Sequence, residues 1–398
     1  VNQPPHSVVG HWSGPWDEEG LVEFAADLRR RLGSRSVTFG LIFLAPELAG
    51  RAVEVLELVR VHARVPVLAG CSSLGLVVGG REIESATGLV LALHALPGAR
   101  AVAVPFSRAS ESVAVARHVL PDDFVPAGWL AFLEPFHTDS EDWIEGWQAA
   151  FPHQPVYGGL ATGSGDEPIA QVYCDGRVLE AGGVALGVSG IRMLGAVAQG
   201  CTPVGETWTI TRTDGNVIHR IGNRPAVAVL SETFESLDEE TRQRSRGGLF
   251  AGLAVDEYVE EHERGDFLVR NLIGADSDSG ALAVAASPRS GQTIRFQIRD
   301  AAAADEELRH VLGRLRDTVG RARVYGGCLS VCLGRGRTFF GESDHDAALV
   351  RQIVGPVEVG GFFGAGEFGP VGSRSWVHGY TASLVLFVGD EPMPEEEL

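Results

Sequence analysis

The 398-residue sequence contains no lysine, and all 33 of its basic residues are arginine. That absence excludes Schiff-base chemistry on a lysine amine, and with it pyridoxal enzymes and lysine aldolases. It excludes a Walker A loop, whose lysine reaches the phosphates, and protein kinases, which need a lysine on their third strand. Arginine is abundant together with alanine, glycine and valine, a pattern that codon bias produces. Positive charge is also scarce in total. The 52 acidic residues leave a formal net charge of −19, which argues against nucleic acid or a membrane surface as partner. Cysteines are few (Cys71, Cys174, Cys201, Cys328, Cys332) and lack disulfide-scaffold spacing. A reducing compartment, the cytoplasm, is therefore expected. The opening VNQPPHSVVGHWSGPW has neither the basic nor the apolar segment of a signal peptide. The longest apolar stretch, GGVALGVSGIRMLGAVAQG, holds Arg192 and a turn at Ser189-Gly190, so it predicts two short strands and not a membrane span.

What is present is a large apolar fraction, 44%, and 51 glycines. Glycine at nearly twice its usual share implies many tight turns and close backbone approaches. The chain also repeats itself. GLVLALHALPGARAVAVPF (88–106) and GALAVAASPRSGQTIRFQI (280–298) both read as strand, Pro-containing turn and strand. At the same offset Arg117-His118-Val119-Leu120 recurs as Arg309-His310-Val311-Leu312. GWLAFLEP (128–135) and GGCLSVCLG (326–334) follow as buried-looking strands, then PVYGG (155–159) and PVEVGG (356–361). A shorter copy opens the chain: the strand VTFGLIFLAP (37–46), the helical AGRAVEVLELVRVHA (49–63), then PVLAGCSSLG (66–75). The strand centres Ile42, Ala131 and Val331 lie at nearly equal distances before Pro66, Pro155 and Pro356. The expected fold is α/β (mixed α+β), with strand–helix–strand–glycine loop–strand units in packed mixed sheets flanked by helices. Two related halves are expected, about 49–190 against 250–389, as domains 20–225 and 226–390. CTPVGETWTITRTDGNVIHRIG (201–222) predicts a hairpin turning at Asp214-Gly215. The acidic stretches in 231–265 predict solvated helices, and the tail DEPMPEEEL a frayed end.

The glycine loops GCSSLG (70–75), GGLATGSG (158–165) and GGFFGAGEFG (360–369) occupy the same place in each copy. Backbone N–H groups presented there can form an anion nest; small residues there equally serve close packing. Gly70, Cys71, Ser72, Gly158 and Gly159 are the candidate ligand contacts. Gly364, Gly366 and Gly369 have GxGxxG spacing, but Pro370 and Gly372 follow where a dinucleotide site needs a long helix. GRGRTFFGESDHDA (334–347) offers Arg335, Arg337, His345 and Asp346. GGFFGAGEFGP offers Phe362, Phe363 and Glu367, and WVHGYTAS (376–383) offers His378, Tyr380 and Thr381. An arginine fork suits a carboxylate or phosphate, and Glu367 suits a ligand ammonium or an arginine. Together they predict a pocket with a few polar groups in an apolar wall. HExxH, GxSxG and CxxC are absent. Cys71 stands at a strand-to-turn junction but has no histidine partner in sequence, and the adjacent Asp344, His345 and Asp346 are poorly spaced for one metal ion.

These residues resemble a known family. GRGRTFFG, the His345-Asp346 pair, GGFFGAGEFGPVG and HGYTASLVLF are similar to the C-terminal FIST domain. PVLAGCSSLG, PVYGGLATG and QGCTPVGETWTITRTDGNVIHRIGNRPA are similar to the N-terminal FIST domain and its exit. The resemblance spans roughly residues 38–389. Near the second Phe of GGFFGAGEFGP, where family members often carry a cysteine, this chain has Gly364 or Ala365. The resemblance implies a sensory module that binds small ligands such as amino acids, in bacteria and in eukaryotic F-box proteins. Some bacterial members bind haem, sense nitric oxide and regulate a histidine kinase. The expectation is therefore a cytoplasmic, non-catalytic sensor of an amino-acid-like or small-carboxylate ligand, without metal or cofactor, signalling through a separate partner protein. Alternatives are a haem-based sensor with His345, His378, His118 or His310 as axial ligand, and an enzyme using Cys71 or Glu367.

Overall fold

The computed structural model describes residues 5–14, 16–163, 169–245, 248–259, 262 and 264–392. Ser164 and Gly165 of the second glycine loop and the tail 393–398 lie outside the described residues, as do parts of the acidic stretch 231–265. The mixed α/β expectation holds. By packing the chain divides into Val1–Val197 with Arg309–Leu398, and Ala198–Leu308.

The first unit contains three sheets of one design. In each, a central strand buried on both faces runs parallel to the strand that follows its helix. Phe39–Leu44 pairs with Leu68–Ser72, Gly128–Leu133 with Val156–Leu160, and Ala322–Cys332 with Val359–Gly364. Helices Ala52–His62, Ser140–Ala150 and His345–Ile353 make the crossovers. Continuous apolar runs such as FGLIFL and GWLAFL suit strands covered on both sides. The other edge of each central strand carries an antiparallel strand: Leu89–His94, Gly183–Ser189 or Ala382–Pro392. Arg192–Ala198 is the separate strand expected after the turn at Gly190 (φ +78°).

The three copies exchange their hairpins in a cycle. Leu76–Val78 and Arg81–Ile83 of the first copy extend the third copy's sheet at Val359–Gly364. Val172–Cys174 and Arg177–Leu179 of the second extend the first at Leu68–Ser72. Glu367–Val371 and Arg374–His378 of the third extend the second at Val156–Leu160. The first and third glycine loops are crossovers that carry the chain from one sheet to the next. Phe43, Phe132 and Phe362, one from each sheet, meet in the shared core at centroid distances of 4.9–5.7 Å.

The second unit is an antiparallel barrel. Trp208–Asp214, Val217–Ile221, Ala281–Val284, Phe267–Asp276, Phe250–Ala254 and Thr293–Arg299 pair in succession, and the last returns to the first. Ile210, Ile218, Leu282, Ile294 and Phe296 fill its core. The expected hairpin is there, with Gly215 at φ +54°. Asp256–Val259, expected to be helical, is a turn.

The expected match of 88–106 to 280–298 is corrected by these pairings. Leu89–His94 and Arg100–Phe106 belong to two sheets of the first unit, whereas Ala281–Val284 and Thr293–Arg299 are barrel strands. By its place in the sheets, Arg192–Ala198 corresponds to Arg100–Phe106. The two RHVL segments do lie in corresponding helices: Arg117-His118-Val119 ends Ser112–Val119, and all four residues of the other lie in Ala301–Val319. The first unit thus holds three copies of one sheet design, and the barrel strands lie in the chain before the third copy's central strand.

Candidate functional site

The crossovers knit together at the centre of the first unit. Ser72 Oγ donates to the Thr162 carbonyl at 2.7 Å and accepts from the Gln171 N–H at 2.9 Å. Thr162 Oγ1 accepts from the Leu74 N–H at 2.9 Å and donates to the Phe363 carbonyl at 3.1 Å. Ser73 Oγ also donates to that carbonyl, at 2.9 Å. Gly70, Gly158 and Gly361 hold corresponding positions, and a Cβ there would lie 1.7, 2.2 and 1.9 Å from the carbonyl oxygens of Ile42, Ala131 and Leu329. These glycines let paired strands approach closely. For Gly70, Ser72, Gly158 and Gly159, packing is therefore the reading the geometry supports, since the polar groups of these loops face one another.

Cys71 is fully buried in the shared core, where burial, and then the nearby Cys328, push its thiol well above the usual range. A thiol held neutral is no nucleophile at neutral pH. Burial likewise pushes Cys328 up to about 12. All five cysteines are buried.

The residues from 335 to 381 do converge, but on each other. Arg335 turns inward and forks onto Asp346, with Nε to Oδ2 at 2.6 Å and Nη2 to Oδ1 at 2.9 Å. Its Nη1 donates to the Tyr380 carbonyl at 3.1 Å. His345 Nδ1 lies 2.9 Å from Asp346 Oδ1, and its ring stacks on Phe340. Burial alone would raise the Asp346 carboxyl, but the Arg335 charge and the bonds from Arg335 and His345 outweigh it and hold it down to about 2. The Thr381 N–H donates to Glu367 Oε2 at 3.3 Å, and His378 Nε2 meets the Gly369 carbonyl at 2.9 Å. The expected role of Arg335, gripping a ligand carboxylate, is thus corrected: a carboxylate of the protein already holds its fork. Glu367 and Phe362 are fully buried inside packed protein. The Arg337 side chain points to solvent while its N–H donates to Glu84 Oε1 at 2.8 Å. Asp344 Oδ1 accepts the Glu82 N–H at 2.7 Å, and among the described residues no group of three His, Cys, Asp or Glu is placed to hold a metal ion.

The sequence pattern missed Glu82. It sits on the three-residue strand Arg81–Ile83 with 7% of its surface exposed. Its Oε1 accepts the Ala347 N–H at 2.9 Å, and its Oε2 has no hydrogen-bond partner among the described residues. Burial first, then the negative Asp346, push its carboxyl up to about 7 against the pull of the Ala347 N–H, His345 and Arg335. The alternation in REIE signals a strand, but nothing local signals that this acid is buried.

A cavity of about 500 Å³ opens beside this network. Pro46 and Glu47 line it after one central strand, and Leu333 after another. Leu74, Gly75 and Phe363 line it from two crossovers, and Glu84, Ser85 and Ala86 from the chain after Arg81–Ile83. Of the expected ligand contacts, Phe363 is the one in this wall. Its charged side chains are Glu47, which accepts the Gly88 N–H, and Glu84. Among the described residues no arginine lines it. The four histidines named for haem lie apart in two environments. His345 and His378 are buried with a ring nitrogen engaged, and His118 and His310 lie on exposed helix faces.

The FIST N domain matches residues 38–224, and the FIST C domain matches residues 226–370. An uncharacterized protein of Mycobacterium tuberculosis is 32% identical over 380 residues, 96% of this chain and 99% of its own length. An uncharacterized protein of Mycobacterium bovis is 33% identical over 382 residues, 96% of this chain and 98% of its own. Among the described residues no helix is long and apolar enough to cross a membrane.

Proposed function

We propose a small-ligand sensory function for this chain, which belongs to the FIST family. FIST domains are signal-transduction sensory domains rather than catalytic ones. The observation that carries the finer reading is the cavity where two crossovers meet. Its wall combines Leu74, Leu333 and Phe363 with the carboxylates Glu47 and Glu84. Apolar surface with a few fixed polar groups is what small ligands occupy. With two acids and, among the described residues, no arginine in the wall, the ligand presents a cation, so the ammonium half of the amino-acid-like expectation is kept and the carboxylate anchor is dropped. Occupancy is passed to a separate signalling protein in the cytoplasm. A thermal-shift comparison of putrescine, arginine and succinate tests this. A ligand of the native state at 100 times its Kd stabilises by about 2.7 kcal/mol. The amines should raise the melting temperature of the wild type and not of Glu84→Gln. A shift by succinate alone, or an amine shift that survives both Glu84→Gln and Glu47→Gln, would refute the reading.

A further inference from the structure

We propose that Glu82 is a proton-binding site that locks the edge strand Arg81–Ile83 onto the helix His345–Ile353 upon acidification, and so sets the cavity wall at Glu84–Ala86. The first observation is the strand's position. It is the outermost strand of its sheet, paired through Val77↔Glu82 to Leu76–Val78, which in turn joins Val359–Gly364. The helix holds it through Glu82 at two points: the N–H on Asp344 Oδ1 and Oε1 on the Ala347 N–H. The second observation is charge. Asp346, His345 and Arg335 face the carboxylate. Arg335 is matched by Asp346 through two bonds, so an ionised Glu82 adds a further negative charge beside Asp346 in a buried place. The stem of Arg351 lies against Gly80, and on the strand's own side Arg81 and Glu84 are exposed. A proton on Oε2 removes the excess charge at an oxygen that has no hydrogen-bond partner among the described residues to stabilise its ionised form. Two residues later the chain forms the cavity wall, with Glu84 tied to the Arg337 N–H.

The direction follows from linkage. The docked strand keeps its proton up to about pH 7, while a released strand loses it at the ordinary value of 4.5. Docking is therefore strongest below pH 4.5, weakens as pH rises to about 7, and then levels off. Opening should increase up to about tenfold per pH unit in that window, up to about 300-fold in all. Asp346, held down to about 2, titrates below the window. His94, pushed down to about 3 by burial, lies in the strand Leu89–His94 and bears on global unfolding in the opposite sense, so the readout must be local.

Hydrogen exchange of the amides of residues 76–86 in the full chain between pH 5 and 8, corrected for intrinsic rates, measures the opening. The expected result is protection that falls from pH 5 to 7 in the wild type and stays level in Glu82→Gln. Level protection in the wild type, or an unchanged slope in Glu82→Gln, overturns the proposal. Should that variant fail to fold, a carbon-13 NMR titration of side-chain carboxyls in the wild type decides. A Glu82 midpoint near 7 supports the proposal, and one near 4.5 overturns it.

Discussion

Alanine at Gly361 would strike the close strand approach on which the hairpin exchange depends. A Cβ at this position lies 1.9 Å from the Leu329 carbonyl oxygen. Ordinary contact needs about 3.5 Å, so the two parallel strands must separate by roughly 1.5 Å. Ladder hydrogen bonds near 2.9 Å do not survive that displacement. Loss of two or three bonds, each worth about 1 kcal/mol net, comes with overpacking of about 1–3 kcal/mol. The expected cost is about 3–6 kcal/mol, a large share of the roughly 5–15 kcal/mol that holds a native protein together. Gly70→Ala and Gly158→Ala should behave alike, since their Cβ positions meet Ile42 and Ala131 oxygens at 1.7 and 2.2 Å. Gly146 is the internal control. It lies inside the helix Ser140–Ala150 with open space around its Cβ. Gly146→Ala should therefore stabilise by about 0.5–1 kcal/mol. Urea midpoints at unchanged m-value read all four. A cost below about 1 kcal/mol for Gly361→Ala would refute the close-approach argument, because the strands would then have room that the structure denies them.

The two arginines singled out by sequence should separate cleanly. Arg335→Ala strands Asp346 in the interior and should cost about 3–5 kcal/mol near neutral pH, whereas exposed Arg337→Ala should change stability by less than about 0.5 kcal/mol. Because Asp346 gains its low value from Arg335, the Arg335→Ala deficit should shrink as acid titration passes below pH 3.8 toward 2; a constant deficit contradicts the ion-pair account. Native protein should resist thiol alkylation at Cys71 at pH 8, and rapid labelling of that residue without unfolding would contradict its burial.

The strand–helix–strand core of each copy was legible because buried parallel strands leave an unbroken apolar run, as in FGLIFL and GWLAFL. The equal spacing to Pro66, Pro155 and Pro356 showed the copies for the same reason: each crossover helix has to span the same sheet. The hairpin exchange was not legible. Leu76–Val78 looks like any short strand, and its partner Val359–Gly364 is distant in sequence. The barrel misled because its strand–turn–strand pattern obeys the same period of two. At the candidate site, sequence correctly drew together Arg335, His345 and Asp346, yet could not give the arginine's direction. A guanidinium looks the same whether it meets a ligand's carboxylate or one eleven residues later in its own chain. Glu82 was missed because the charged groups and the N–H that act on its carboxyl come from residues 335–347, distant in sequence.

The cyclic hairpin exchange also bears on synthesis. Leu76–Val78 leaves the ribosome long before Val359–Gly364, its partner strand. At about 5–20 residues per second the wait is roughly 15–60 s. During that interval the nascent chain carries strands with unpaired edges, the surfaces on which chains aggregate. A product truncated before residue 359 keeps that edge permanently, so the protein's quality is decided by the arrival of its third copy.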